Sequence, residues 1–203
     1  GPLLEPPRRE VPIVGMSCRL PGGLEGPALL WDAVALSRCV VHKVPFNRWD
    51  VDAVTASNPS WSGEVKSRMQ WGGFVEDLEL FDPSFFRISA AEASAMDPQQ
   101  RLLLEYSWLA FRDAGYTKEA LQDQNVGVFL GISSSDAVEV SGKGASSSAG
   151  PSVYSANGTS HSTAVGRVSF TFGLQGPCAA YDTACSSALA ALHAGVRGLQ
   201  NGR

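Results

Sequence analysis

The feature that most restricts the fold lies near the end of the chain, where PCAAYDTA runs through Cys185 into SSALAALHAGVRGLQ. The first piece reads as a strand, Pro177 to Thr183, with proline at its start, where a missing N–H matters least. The second, Cys185 to Leu199, reads as a helix rich in alanine and leucine on every side. A helix without a polar face must be covered all round, which puts it inside a layered structure. Two more apolar runs, Val11 to Met16 and Val126 to Gly131, are short and closed by polar residues or glycine, so they read as buried strands.

Helical segments stand between these strands. GPALLWDAVALS opens at Pro27 with apolar residues at helical spacing. Ser89 and Glu92 have the spacing of a capping box. Asp97 and Pro98 supply an N-cap and a first-turn proline for a helix that carries Leu102, Leu103, Tyr106, Leu109 and Ala110 and stops at Gly115. SHSTAVGRVSFTFG gives another helix, whose interior Gly166 implies close packing. From Val44 to Leu80 the chain is aromatic-rich and irregular, a long excursion over the surface. SSSDAVEVSGKGASSSAG reads as a surface loop, without the glycine spacing of a phosphate cradle. Strands alternating with helices imply an α/β fold with a largely parallel sheet.

Composition removes several function classes. A chain of 203 residues with 44% hydrophobic and 18% charged residues can bury a substantial core. The net charge of -4, with scattered Lys and Arg, argues against nucleic acid and against a polybasic membrane patch. No apolar run is long enough for a transmembrane helix, and GPLLEPPRRE lacks the apolar core of a secretory signal. Those first ten residues read as a linker or tag remnant, with Gly1-Pro2 as a protease scar. Cys18, Cys39, Cys178 and Cys185 form no C-x-x-C pair, and His42, His161 and His193 have no zinc-ligand spacing, so neither metal nor disulfide is expected.

Cys185 itself follows a strand and opens a helix. The unpaired N–H groups of a first helical turn and the helix dipole both favour thiolate over thiol at such a place. Ala184, Ser186, Ser187 and Ala188 are small, which leaves room for a bulky acyl group. The same N–H groups suit an oxyanion forming on a bound thioester. A cysteine at this joint is equally well a small buried hydrophobe, and spacing alone leaves both readings open. A serine nucleophile is disfavoured: G-x-S-x-G is absent, and GISSS lacks the second glycine of a nucleophile elbow.

DTACSS closely resembles the active-site signature of the β-ketoacyl synthases of modular polyketide synthases and type I fatty acid synthases. PIVGMSCRLPGG, VPFNRWDVDA, the long block from WGGFVEDLELFDPSFF to LLLEYSWLAFRDAG, VGVFLGISSSD and ANGTSHSTAVGRVSFTFGLQGPCAAYDTACSSALAALHAG are similar to successive blocks of that family, in order. The resemblance covers nearly the whole chain and favours Cys185 as the nucleophile.

The resemblance implies a thiolase-like fold, here its first half and incomplete: layered α/β with a mixed, mostly parallel sheet. Residues 11–203 would be the N-terminal part of a ketosynthase domain, ending after the nucleophile helix. It implies acyl transfer from a phosphopantetheine thioester to Cys185. A malonyl-type thioester on an acyl carrier protein then loses carbon dioxide, and its carbanion attacks the acyl-cysteine to give a β-ketoacyl thioester. No cofactor is expected on the chain itself, since the substrates ride on carrier phosphopantetheine. The implied partners are the carrier protein, the remainder of the ketosynthase domain or other subunits over the open face, and a second copy. That copy would make a homodimer or larger assembly across the strand bearing Cys178, Tyr181 and Thr183. A cytoplasmic location is expected.

The family has two histidines far downstream of the cysteine, in HGTGT-like and NxGH-like motifs that this sequence does not contain. His42 is expected in an exposed loop, and His161 as a packing or capping residue. His193, at i+8 from Cys185, is expected to point away from the helix start. The chain alone is therefore expected to accept an acyl group and not to condense. The alternatives are a ketosynthase-derived structural protein without chemistry and a regulatory protein that loads Cys185 and stops there. Cys178, where the family often carries serine, is expected to be a small buried residue, unlinked to Cys185.

Overall fold

A computed structural model describes residues 10–133 and 155–202. Residues 1–9 of the expected ten-residue linker and most of the Gly/Ser-rich loop lie outside the described residues. The chain divides into two compact units, Ser17–Leu78 and Gly1–Met16 with Glu79–Arg203.

The smaller unit begins with a short antiparallel pair, β1 (Arg19–Leu20) and β2 (Leu24–Glu25), turned at Gly22 and Gly23, both at positive φ. Helix α1 (Pro27–Ala35) follows with proline in its first turn, as its sequence predicts. Strand β3 (His42–Lys43) pairs antiparallel with β4 (Trp71–Gly72). Between them stand α2 (Val51–Ala56), capped by Asp50 on the Ala53 N–H, and α3 (Gly63–Arg68), capped by Ser62 on the Val65 N–H. The irregular excursion is thus partly helical. His42 is in a strand and not in an exposed loop: it is half-buried, its ring edge-on to Phe74 at 5.6 Å.

The larger unit is built on one parallel pair, β5 (Val128–Gly131) with β6 (Cys178–Tyr181), in the register Val128↔Cys178 to Gly131↔Tyr181. Parallel strands need a crossover, and the described part of this one contains α7 (Ser155–Thr159) and α8 (His161–Phe172). Side chains alternate across a strand. Val128 packs into the cluster that holds Val168 and Phe172 of α8. Phe129 faces the other way, onto Gly195 and Gly198 of α9 (Ser187–Gln200). The pair is therefore sandwiched between two helices.

The core is Phe86, Met96, Leu104, Leu121, Val168, Phe172 and Leu174. Helices α4 (Ala90–Ala95), α5 (Pro98–Asp113) and α6 (Lys118–Leu121) close it. Ser89 caps α4 on the Glu92 N–H, but the reciprocal half of the capping box is absent because the Glu92 carboxylate pairs with Arg167 of α8. Arg167 also donates to the Gln100 side-chain carbonyl at 3.0 Å, and Gln100 donates to the Asn157 carbonyl at 3.0 Å. Asp97 caps α5 on the Gln99 N–H, Pro98 takes its first turn, and Gly115 at positive φ follows its end.

Three expectations are corrected. Val11 to Met16 forms no strand: none of the described strands pairs with it, and Ile13 and Val14 are 73% and 66% exposed. Gly15 is instead pressed on the end of α5, and the Met16 N–H donates to the Asp113 carboxylate at 2.8 Å. The inward face of α5 centres on Leu104, with Leu103, Trp108 and Phe111 beside it, while Leu109 is exposed. Gly166 meets no close neighbour; a β-carbon there would have open space.

Candidate active site

The turn that carries Cys185 is fixed at both ends. Strand β6 ends at Tyr181, and α9 begins at Ser187, so Cys185 stands two residues ahead of the helix and not within it as expected. The Ala184 N–H donates to Asp182 Oδ1 at 3.2 Å. Ala184 has φ 55, the left-handed region, which costs a non-glycine residue about 1–2 kcal/mol. Ser186 Oγ donates to the Thr183 carbonyl at 2.8 Å and meets Thr183 Oγ1 at 2.9 Å. Ser187 Oγ accepts from the Thr183 N–H at 2.9 Å and donates to the Ala184 carbonyl at 2.6 Å. A strained residue clasped by neighbouring hydroxyls turns the chain sharply and leaves Cys185 exposed at the bend, as a free thiol.

The helix behind the thiol has no side-chain cap. The hydroxyl of Ser186, at the N-cap, bonds back to Thr183, and that of Ser187 also stays within the turn. The first-turn N–H groups of Ala188 and Leu189 therefore keep the partial positive charge of a helix start. Space for this arrangement comes from Gly131, the last residue of β5. A β-carbon on it would lie 2.5 Å from both the Ala188 nitrogen and the Ser187 carbonyl carbon. No side chain fits between the strand end and the helix start.

Cys178 is exposed and not buried as expected, because it lies on β6 with no described strand on its free side. Burial by its surroundings is still enough to push its thiol above the ordinary value. Tyr181 is half-buried and ends β6, whereas Thr183 is exposed and lies beyond the strand that was expected to include it. His161 is the first residue of α8, with Ser160 at the N-cap, and is half-buried. His193 is exposed on α9, about 9 Å along the axis from Ser187. A cleft of about 220 Å³ in the smaller unit, lined by Lys43, Trp49, Asp50 and Gln70 among others, includes no residue of the cysteine turn. No helix among the described residues is long and apolar enough to cross a membrane.

The sequence reading passed over Gly131 and Ser187. The available signals were a glycine closing an apolar strand and a serine pair directly after the cysteine, read there only as small residues that leave room for a substrate.

The family model for the β-ketoacyl synthase N-terminal domain matches residues 8–203. The chain is 42% identical over 190 residues to a phenolphthiocerol/phthiocerol polyketide synthase from Mycobacterium tuberculosis, covering 94% of this chain and 10% of that protein. It is 45% identical over 194 residues to polyketide synthase GfsA of Streptomyces halstedii, covering 95% of this chain and 3% of that one. Among solved structures it resembles the ketosynthase from module 6 of the bacillaene synthase of Bacillus subtilis 168. There the TM-score is 0.74 and the identity 34%, over 94% of this chain and 29% of that one. The chain thus spans a tenth or less of these polyketide synthases and under a third of the ketosynthase structure. With its strand–turn–helix at Cys185 and its thiolase-like arrangement of β5, β6 and α9, the chain belongs to the β-ketoacyl synthases and corresponds to their N-terminal domain.

Proposed function

We propose that this chain supplies the nucleophile-bearing part of a β-ketoacyl synthase that elongates a polyketide. Cys185 attacks the carbonyl of an acyl thioester held on carrier phosphopantetheine. The sulfur–carbonyl bond forms, and the carrier thiol leaves with a proton. The first-turn N–H groups of α9 face the oxyanion of that step, replacing water by fixed dipoles. A malonyl-type carrier thioester then loses carbon dioxide, and its carbanion displaces Cys185 from the acyl carbonyl. The observation that supports this most is the exposed thiol at a strained turn directly before an uncapped helix.

The second half of the reaction needs groups that stabilise the charge formed on decarboxylation. His161 and His193 are on α8 and α9, and neither belongs to the turn. Residues 1–203 alone should therefore load and not condense. Partners in this reading are an acyl carrier protein and a second copy against the side of β6 that no described strand covers, near Cys178, Tyr181 and the following Thr183.

Incubation with a short-chain acyl thioester of N-acetylcysteamine, followed by peptide mass mapping, tests the proposal. One acyl group on Cys185, lost in Cys185→Ala, is the expected result. An unmodified Cys185 with a native fold would favour a structural role without chemistry.

A further inference from the structure

Asp97, Gln100 and Ser187 are the buried polar side chains among the described residues. Asp97 caps α5 and Gln100 ties α5 to the α7–α8 junction. Ser187 opens α9 and does not cap it; both of its hydrogen bonds return to the turn. One takes the N–H of Thr183 at 2.9 Å, and the other reaches the carbonyl of Ala184 at 2.6 Å. That carbonyl belongs to the peptide that joins Ala184 to Cys185.

We infer that the buried Ser187 hydroxyl is a positioning group for Cys185, clamping the left-handed Ala184 so that the following peptide presents the thiol outward. The clamp spans the strained residue from both sides. Without it, the Ala184 carbonyl keeps only the Ser187 N–H at 3.1 Å and the Ala184 N–H keeps Asp182. The strained residue is then held less tightly and relaxes toward the right-handed region, which rotates the Ala184–Cys185 peptide and swings the Cys185 side chain off its bearing. The far end of the clamp cannot shift to compensate, since the Ser187–Ala188 backbone is held against Gly131.

The inference rests on Cys185 being the nucleophile proposed above, but its test needs no thioester. Iodoacetamide labelling of the protein gives the rate at Cys185 relative to the exposed Cys39 of the smaller unit, an internal standard in the same molecule. In Ser187→Ala that ratio should fall about tenfold, equivalent to about 1.4 kcal/mol. Adding Ala184→Gly should bring it back to within about threefold of wild type, because glycine holds positive φ without a clamp. A purely structural role for Ser187 predicts no such rescue. An unchanged ratio in Ser187→Ala with cooperative unfolding, or no recovery in the double variant, would overturn the inference. If Ser187→Ala alone does not unfold cooperatively, the double variant decides in the same way. Wild-type protein that labels selectively at Cys185 yet takes no acyl group would count against the proposed function and leave the role of Ser187 standing.

Discussion

Gly131 and Ser187 meet backbone to backbone: a β-carbon built on Gly131 would lie 2.5 Å from the carbonyl carbon of Ser187. The strand end and the helix start are in direct contact there, and the cysteine turn hangs from that contact. Gly131→Ala should therefore force the two apart and destabilise the protein by about 1–3 kcal/mol, in the range of an overpacked core. Gly166→Ala is the control, since its β-carbon would meet open space within a helix. It should raise stability by about 0.5–1 kcal/mol. Thermal unfolding of both variants measures the contrast, and equal effects would contradict the packing described.

The raised thiol of Cys178 predicts a pH dependence. Its cause is burial, which disfavours the thiolate. Between the ordinary value of 9.0 and the higher native value, the unfolded chain has lost the proton and the folded chain still holds it. Stability should accordingly fall as pH rises through that window. In the native state, the pH profile of Cys178 alkylation should lie above that of a cysteine in an unstructured peptide. Coincident profiles would show that the strand edge is open to water at the sulfur.

The ion pair between Glu92 and Arg167 joins α4 to α8 with both side chains largely shielded. Arg167→Met would leave the Glu92 carboxylate and the Gln100 carbonyl without their partner. The cost should be about 2–3 kcal/mol, below the roughly 3–5 kcal/mol seen when one member of a fully buried pair is removed. A double-mutant cycle with Glu92→Gln in denaturant isolates the coupling. Additive losses would mean that the pair contributes nothing beyond its separate contacts.

Local signals told most where they were strongest. Pro27, Asp97 with Pro98, and Gly115 marked helix ends correctly, because caps and first-turn prolines act within a few residues. The strands ending at Gly131 and beginning after Pro177 were also legible, as apolar runs bounded by breakers. Val11 to Met16 was not, because an apolar run becomes a strand only when another edge accepts it, and no local pattern reports the partner. Glu92 was misassigned for the same reason: its true partner, Arg167, is 75 residues away. At the site, the cysteine and its small neighbours could be read, but the clamp of Ser187 and the contact at Gly131 exist only once the strand and helix are brought together.

The outer face of α9 carries Leu189, Leu192 and Leu199, which are 71%, 57% and 60% exposed. No described strand pairs with the free side of β6, and exposed leucines and an unpaired strand side both favour association. Residues 1–203 in isolation should bind a hydrophobic dye and sediment as oligomers. Leu189→Lys with Leu192→Glu should reduce both signals severalfold. A monodisperse monomer with no dye binding would show that this face is covered in solution.

The most direct test of the account is the site of acylation. After incubation with an acyl thioester, intact-mass and peptide mapping should find one added acyl group, on Cys185, with Cys18, Cys39 and Cys178 unmodified and Cys185→Ala inert. Equal acylation of all four cysteines, or a modified Cys178 beside an untouched Cys185, would contradict it.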